Sequence, residues 1–118
     1  MHGRLIFNWL ENMTQYVAER KLLYSDKGSD LRKEFIVYLC APYSVKEGTV
    51  NFPVVDGCSG CHIEVKGLNA EHPDVYGADS LQAITLACGR IEWLLKNLQK
   101  RYDIYFLTGE PYFESNGD

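Results

Sequence analysis

Tyr76-Gly77-Ala78-Asp79-Ser80-Leu81-Gln82-Ala83-Ile84-Thr85-Leu86-Ala87 is the stretch on which the architecture turns. Asp79 is an N-cap residue whose carboxylate accepts from N–H groups of a first helical turn. Gln82, three residues on, completes a capping-box pattern. Gly77 can take a positive φ and close the preceding loop. Past the cap, apolar residues recur at Leu81, Ile84, Cys88, Ile91, Leu95 and Leu98. The steps alternate between three and four, which draws one stripe down a helix. Ala87 and Leu94 widen it, while Arg90, Glu92, Lys96, Asn97, Gln99 and Lys100 fall on the other side. Lys96, Lys100 and Arg101 complement the negative end of the helix dipole. The spacing predicts a helix over 79–100, roughly 33 Å long. Gly89 within it costs about 1 kcal/mol relative to Ala, which close approach of a neighbouring backbone would explain.

Upstream, the patterning changes to period two. Over 14–24, Tyr16, Ala18, Leu22 and Tyr24 alternate with polar positions that include Glu19 and Lys21. The cluster Ser25-Asp26-Lys27-Gly28-Ser29-Asp30 is a turn. Lys33–Cys40 is the clearest strand, with Phe35, Val37 and Leu39 on one face and Ile36, Tyr38 and Cys40 on the other. Apolar residues on both faces mark a central or covered strand, and Pro42 ends it. A short edge strand is expected at 49–52. Cys61, Ile63 and Val65 alternate with His62, Glu64 and Lys66, a half-buried strand with a polar outer side. A loop over 67–77 leads to the helix, and a last strand occupies 102–107. Short connections favour antiparallel pairing. The expected fold is α+β: a two-layer sandwich in which a mainly antiparallel sheet of four to five strands lies under one long helix, followed by a final strand. Residues 1–12 form an apolar arm or short helix, and 109–118 an acidic, aromatic tail.

A chain of 118 residues with 46% hydrophobic content is one domain with one core. Its net charge of −4 argues against nucleic-acid and anionic-membrane binding. No run is long enough to span a bilayer. The N-terminal stretch lacks the features of a signal peptide. The expected compartment is the cytoplasm, where Cys40, Cys58, Cys61 and Cys88 stay reduced.

Cys58-Ser59-Gly60-Cys61-His62 has the spacing of c-type haem attachment. The same residues can be read as part of a zinc site, but a structural site wants four ligands and no second pair accompanies them. A thioredoxin-like role needs a helix after the motif, and here a strand follows. The competing reading is a Gly-rich turn leading into a buried cysteine. Cys61 and His62 point to opposite faces of a strand and cannot pair with each other. Glu71-His72-Pro73-Asp74 reads as a proline-set turn, although His72 is the first choice for a general base if the chain is a small enzyme with a dispersed site. Phosphate-binding loops, zinc-protease motifs and nucleophile elbows are missing from the sequence.

In the tail, Glu110, Tyr112, Phe113 and Glu114 mix acids with aromatics, a combination that anchors protein partners. The motif Tyr76-Gly77-x-Asp79-Ser80-Leu81-Gln82-Ala83-Ile84-x-Leu86-Ala87 resembles the signature of a family of small bacterial proteins of unknown function. Val17-Ala18-Glu19-Arg20 and Cys61-x-Ile63 are similar to that family too, so the resemblance runs over 16–107. It implies a compact α+β domain and assigns no catalytic residue. Small acidic proteins of this kind include immunity proteins that neutralise toxins, an analogy of size and charge. The expectation is a non-enzymatic cytoplasmic protein-binding domain, with no cofactor, whose partner is a basic toxin domain. The alternatives are metal or haem binding through Cys58, Cys61 and His62, and catalysis near His72. The apolar arm with Phe7 and Trp9 is compatible with packing on its own domain or across a homodimer.

Overall fold

The computed structural model describes residues 15–114. The apolar arm of 1–12 lies outside the described residues. Among the described residues, seven strands and one helix follow in the order β1 (Tyr16–Asp26), β2 (Lys33–Cys40), β3 (Tyr43–Ser44), β4 (Ser59–Cys61), β5 (Ile63–Lys66), β6 (Val75–Gly77), α1 (Ser80–Leu98) and β7 (Tyr102–Tyr105). The fold is α+β, and every strand pairing is antiparallel. The strands divide between two sheets rather than one: a four-stranded sheet ordered β5-β2-β1-β7 and a three-stranded sheet ordered β3-β4-β6.

The division has a local cause. β2 and β5 pair from Ile36↔Lys66 to Leu39↔Ile63, and β3 and β4 resume with Tyr43↔Gly60. This is one long hairpin, broken on one strand at Ala41-Pro42 and on the other at His62. Pro42 lacks the N–H a ladder needs, so the hairpin crosses from one sheet to the other there. β2 lies inside its sheet, as its two apolar faces require. The expected edge strand at 49–52 is replaced by turns and bends, and the two-residue β3 takes the edge position instead.

The helix starts as its sequence dictates. Asp79 Oδ1 accepts from the Gln82 N–H at 2.8 Å, and Gln82 Oε1 accepts from the Ala78 N–H at 2.6 Å. The buried face keeps Ala87, Leu94, Leu95 and Leu98 of the expected stripe, with Ile84 and Ile91 partly buried against the core, and departs from it at Leu81 and Cys88. It consists of Ala83, Ala87, Leu94, Leu95 and Leu98, whereas Leu81 is 73% exposed and Cys88 lies at the surface. Gly77 explains the rotation. It has no positive φ; instead, a Cβ there would sit 2.4 Å from the Ala83 nitrogen. β6 therefore passes directly beneath the first turn of α1, and only small side chains fit along that line. Leu94, Leu95 and Leu98 continue into one core with Leu22, Phe35, Val37 and Ile104. Gly89 meets nothing within 4 Å and is solvent-facing, so no backbone approaches it.

The two edges of the larger sheet are treated differently. The chain after β7 turns back along it, with Phe106 N–H donating to the Glu110 carbonyl at 2.8 Å and Tyr112 N–H to the Ile104 carbonyl at 2.9 Å. Tyr105 and Pro111 form the bridge between them. This segment covers the outer edge of β7, while β5 at the other end has no strand beyond it among the described residues. No described helix is long and apolar enough to cross a membrane.

Two glycine substitutions should move stability in opposite directions. Gly77→Ala forces strand and helix apart, and by the usual cost of overpacking should destabilise by about 1–3 kcal/mol. Gly89→Ala, in open space on a helix, should stabilise by about 0.5–1 kcal/mol. Urea titration of both variants measures the two signs.

Candidate functional site

His62 occupies the bend between β4 and β5, Asp74 precedes β6, and Tyr43 opens β3. The folded chain brings the three together. Asp74 Oδ1 lies 2.7 Å from His62 Nδ1, and its other carboxylate oxygen accepts from the Tyr43 hydroxyl. Gly60 makes this reach possible: a Cβ there would lie 2.5 Å from the Tyr43 ring, which crosses directly over it. Burial and the bond to Asp74 both raise the Tyr43 pKa, keeping the hydroxyl a donor. With Nδ1 engaged, Nε2 of the exposed His62 has no partner among the described residues.

A cleft of about 480 Å³ opens beside His62. One wall is His62, Glu64 and Val65; the other is the loop carrying Leu68, Glu71 and His72. Glu64 Oε2 accepts from the Tyr16 hydroxyl at 2.6 Å, a bond that raises the Tyr16 pKa. Tyr16 stacks on Tyr38 with ring centroids 3.9 Å apart. The Lys66 ammonium sits 5.4 and 5.6 Å from the centres of those two rings.

His72 lines the same cleft, but both of its nitrogens are engaged. Nδ1 bonds the Pro73 carbonyl at 2.6 Å, and Nε2 accepts from Arg90 Nε–H at 3.1 Å. A ring held at both nitrogens has none left to take a proton from a substrate, which leaves His62, Glu64 and Glu71 as the cleft's acid–base groups. The His72–Arg90 pair has a different effect. The Arg90 guanidinium lies 4.3 Å from the centre of the Trp93 ring, and His72 meets that ring edge-on at 6.0 Å. Trp93 is therefore held in one orientation while 48% exposed.

The Cys58-x-x-Cys61-His62 residues do not converge. Cys61 is completely buried, Cys58 half-buried, and His62 exposed. No three His, Cys, Asp or Glu side chains are grouped to hold a metal among the described residues. Burial raises the pKa of the Cys61 thiol and pushes that of Cys40 up to about 11. Neither is an activated nucleophile, since the thiolate is the reactive form.

The tail residues are placed unequally. Tyr112 and Phe113 are half-buried and pack against the core. The Tyr112 hydroxyl bonds both Glu92 carboxylate oxygens, at 2.9 and 3.0 Å, and lies 2.5 Å from Arg20 Nη1. Arg20 also pairs directly with Glu92. Glu110 and Glu114 are exposed. Sequence reasoning passed over Tyr43, Asp74 and Trp93. Asp74 read as a turn former and Trp93 as a helix residue, and no local pattern links either to its partners.

No protein-family model, curated protein or solved structure matches the chain.

The thiols provide a check on this geometry. Alkylation of the folded protein should modify Cys88 first and leave Cys40 and Cys61 protected, as read by peptide mass spectrometry. The Cys40 pKa is about 11 when folded against 9.0 for a free thiol. Across that interval the unfolded chain loses a proton that the folded chain retains, so stability falls as the pH rises from 9.0 to about 11. Part of that slope should vanish in Cys40→Ala.

Proposed function

We propose that this chain is a non-enzymatic protein-binding domain that masks a basic partner, most concretely an immunity protein acting on a cytoplasmic toxin such as a nuclease. The observation that carries the reading is Trp93. An exposed indole, held by Arg90 and His72 beside a cleft that carries Glu64 and Glu71, has the makeup of an interface anchor. Tryptophan and arginine dominate binding energy at interfaces, and a side chain already fixed in place loses little freedom on binding. Leu86, two helical turns before Trp93, is 45% exposed and extends the apolar contact area.

The net charge of −4 complements a basic partner and accelerates encounter with it. The four free thiols fit a reducing compartment. This reading takes the aromatic anchor from the helix rather than the tail, since Tyr112 and Phe113 pack against the chain's own core. Glu110 and Glu114 retain a role in long-range attraction.

Capture of the tagged chain from its host, beside an identical Trp93→Ala chain, tests the proposal. The unmodified chain should retain one basic protein in stoichiometric amount. Trp93→Ala should bind that protein about 30-fold more weakly, the loss typical of an interface anchor. Its unfolding temperature should be unchanged. Equal affinity in the two chains would remove Trp93 from the interface and with it the basis of the reading.

A further inference from the structure

We infer that the cleft beside β5 is a strand-addition slot, which accepts an extended partner segment carrying a basic residue between two apolar ones. The inference rests on the protein-binding reading above and names the mode of recognition.

The backbone register shows which groups are free. The His62 carbonyl accepts from Cys40 N–H at 3.0 Å, so His62 turns its polar groups toward β2. In an antiparallel ladder the direction alternates from residue to residue. Glu64 and Lys66 therefore face β2 as well, while the N–H and C=O groups of Ile63 and Val65 point outward. Those four groups have no backbone partner among the described residues. β6 covers the same side of the hairpin one step earlier, where Cys61 pairs with Val75. It cannot continue alongside β5 because Pro73 has no N–H to offer a ladder. The loop over 67–74 instead arches away and leaves the 480 Å³ cleft in the line that β6 would have taken.

An incoming strand in that line runs antiparallel to β5 and collinear with β6. Main-chain bonds to Ile63 and Val65 supply affinity, and alternate side chains supply selectivity. Ile63 is buried and Val65 half-buried on the core side, so the residues opposite them are apolar. Glu64 points to the other face. Its Oε2 is taken by Tyr16, and its Oε1 has no partner among the described residues. Glu71 stands on the facing wall, also without one. A lysine or arginine opposite Glu64 therefore meets two carboxylates. The nearby cations are already engaged, Lys66 over Tyr16 and Tyr38 and Arg90 by His72 and Trp93. At the opposite edge of the sheet the chain's own residues 110–112 make the equivalent addition to β7.

The probe is a capped synthetic heptapeptide alternating valine with lysine and arginine, titrated into the isotopically labelled full chain. Amide shifts should concentrate at Ile63, Val65 and Glu71. A peptide with glutamate in place of the basic residues should not bind. Nor should the basic peptide with N-methyl groups on its ladder-facing amides, a control that leaves the protein intact. Val65→Pro should abolish binding, since its N–H faces the slot and proline is tolerated on such an edge. Glu64→Gln should weaken binding about two- to five-fold, the range for an opposed charge pair across strands. No binding by the basic peptide, shifts mapping away from β5, or equal binding by the N-methylated peptide would each overturn the slot. Partner capture separates the two proposals. A partner retained by Val65→Pro and lost by Trp93→Ala leaves the protein-binding reading standing without the slot.

Discussion

The seat of α1 on Gly77 is the contact from which the other arrangements follow. A strand backbone lies directly under the first helical turn because no Cβ stands between them. That distance admits Ala83 and Ala87 along the contact line and nothing larger. The helix is thereby fixed in rotation about its axis. Leu94, Leu95 and Leu98 then reach the core shared with Leu22, Phe35 and Ile104. Leu86, Arg90 and Trp93 are carried to the outside by the same rotation. An apolar helix face wider than its seat leaves part of itself uncovered, and that uncovered part is where an interface can form.

The second constraint is the bend at His62. It divides one hairpin between two sheets, turns His62 outward beside Asp74, and leaves β5 as an edge among the described strands. Open edges invite pairing with other chains, and proteins usually cover or blunt them. Among the described residues, this domain covers β7 with its own tail and puts no strand on β5, which lies beside acidic side chains. The thiols are arranged the other way. Cys40 and Cys61 are withdrawn into apolar surroundings that disfavour their ionised forms. Cys88, on the exposed side of the helix, is the thiol left accessible.

Much of the local structure was legible in the residues themselves. The bond from the Gln82 N–H to the Asp79 carboxylate follows from their three-residue spacing, and the Gln82 side chain reaches one residue further back, to the Ala78 N–H. Lys33–Cys40 is found as a strand with its expected bounds, and the alternation from Cys61 to Lys66 holds through the bend. The helix face was legible at Ala87, Leu94, Leu95 and Leu98 but not at its start, where periodicity picks out Leu81 and the actual seat is the small Ala83. The edge strand at 49–52 failed for a related reason: a short β-prone run forms a strand only where a partner lies in register, and Tyr43 occupied that register first.

Capping, alternation and turn chemistry act over a few residues, so the amino-acid order was sufficient for the α+β class, the helix start and the central strand. The site belongs to another scale. His62 and Asp74 are 12 positions apart, and Tyr43 and Asp74 are 31 apart. Whether such side chains meet depends on where two sheets separate and how closely a helix settles on them. Those distances are set by Gly60, Gly77 and Ala83, through side-chain volume they do not have, and absent volume leaves no periodic trace in a sequence.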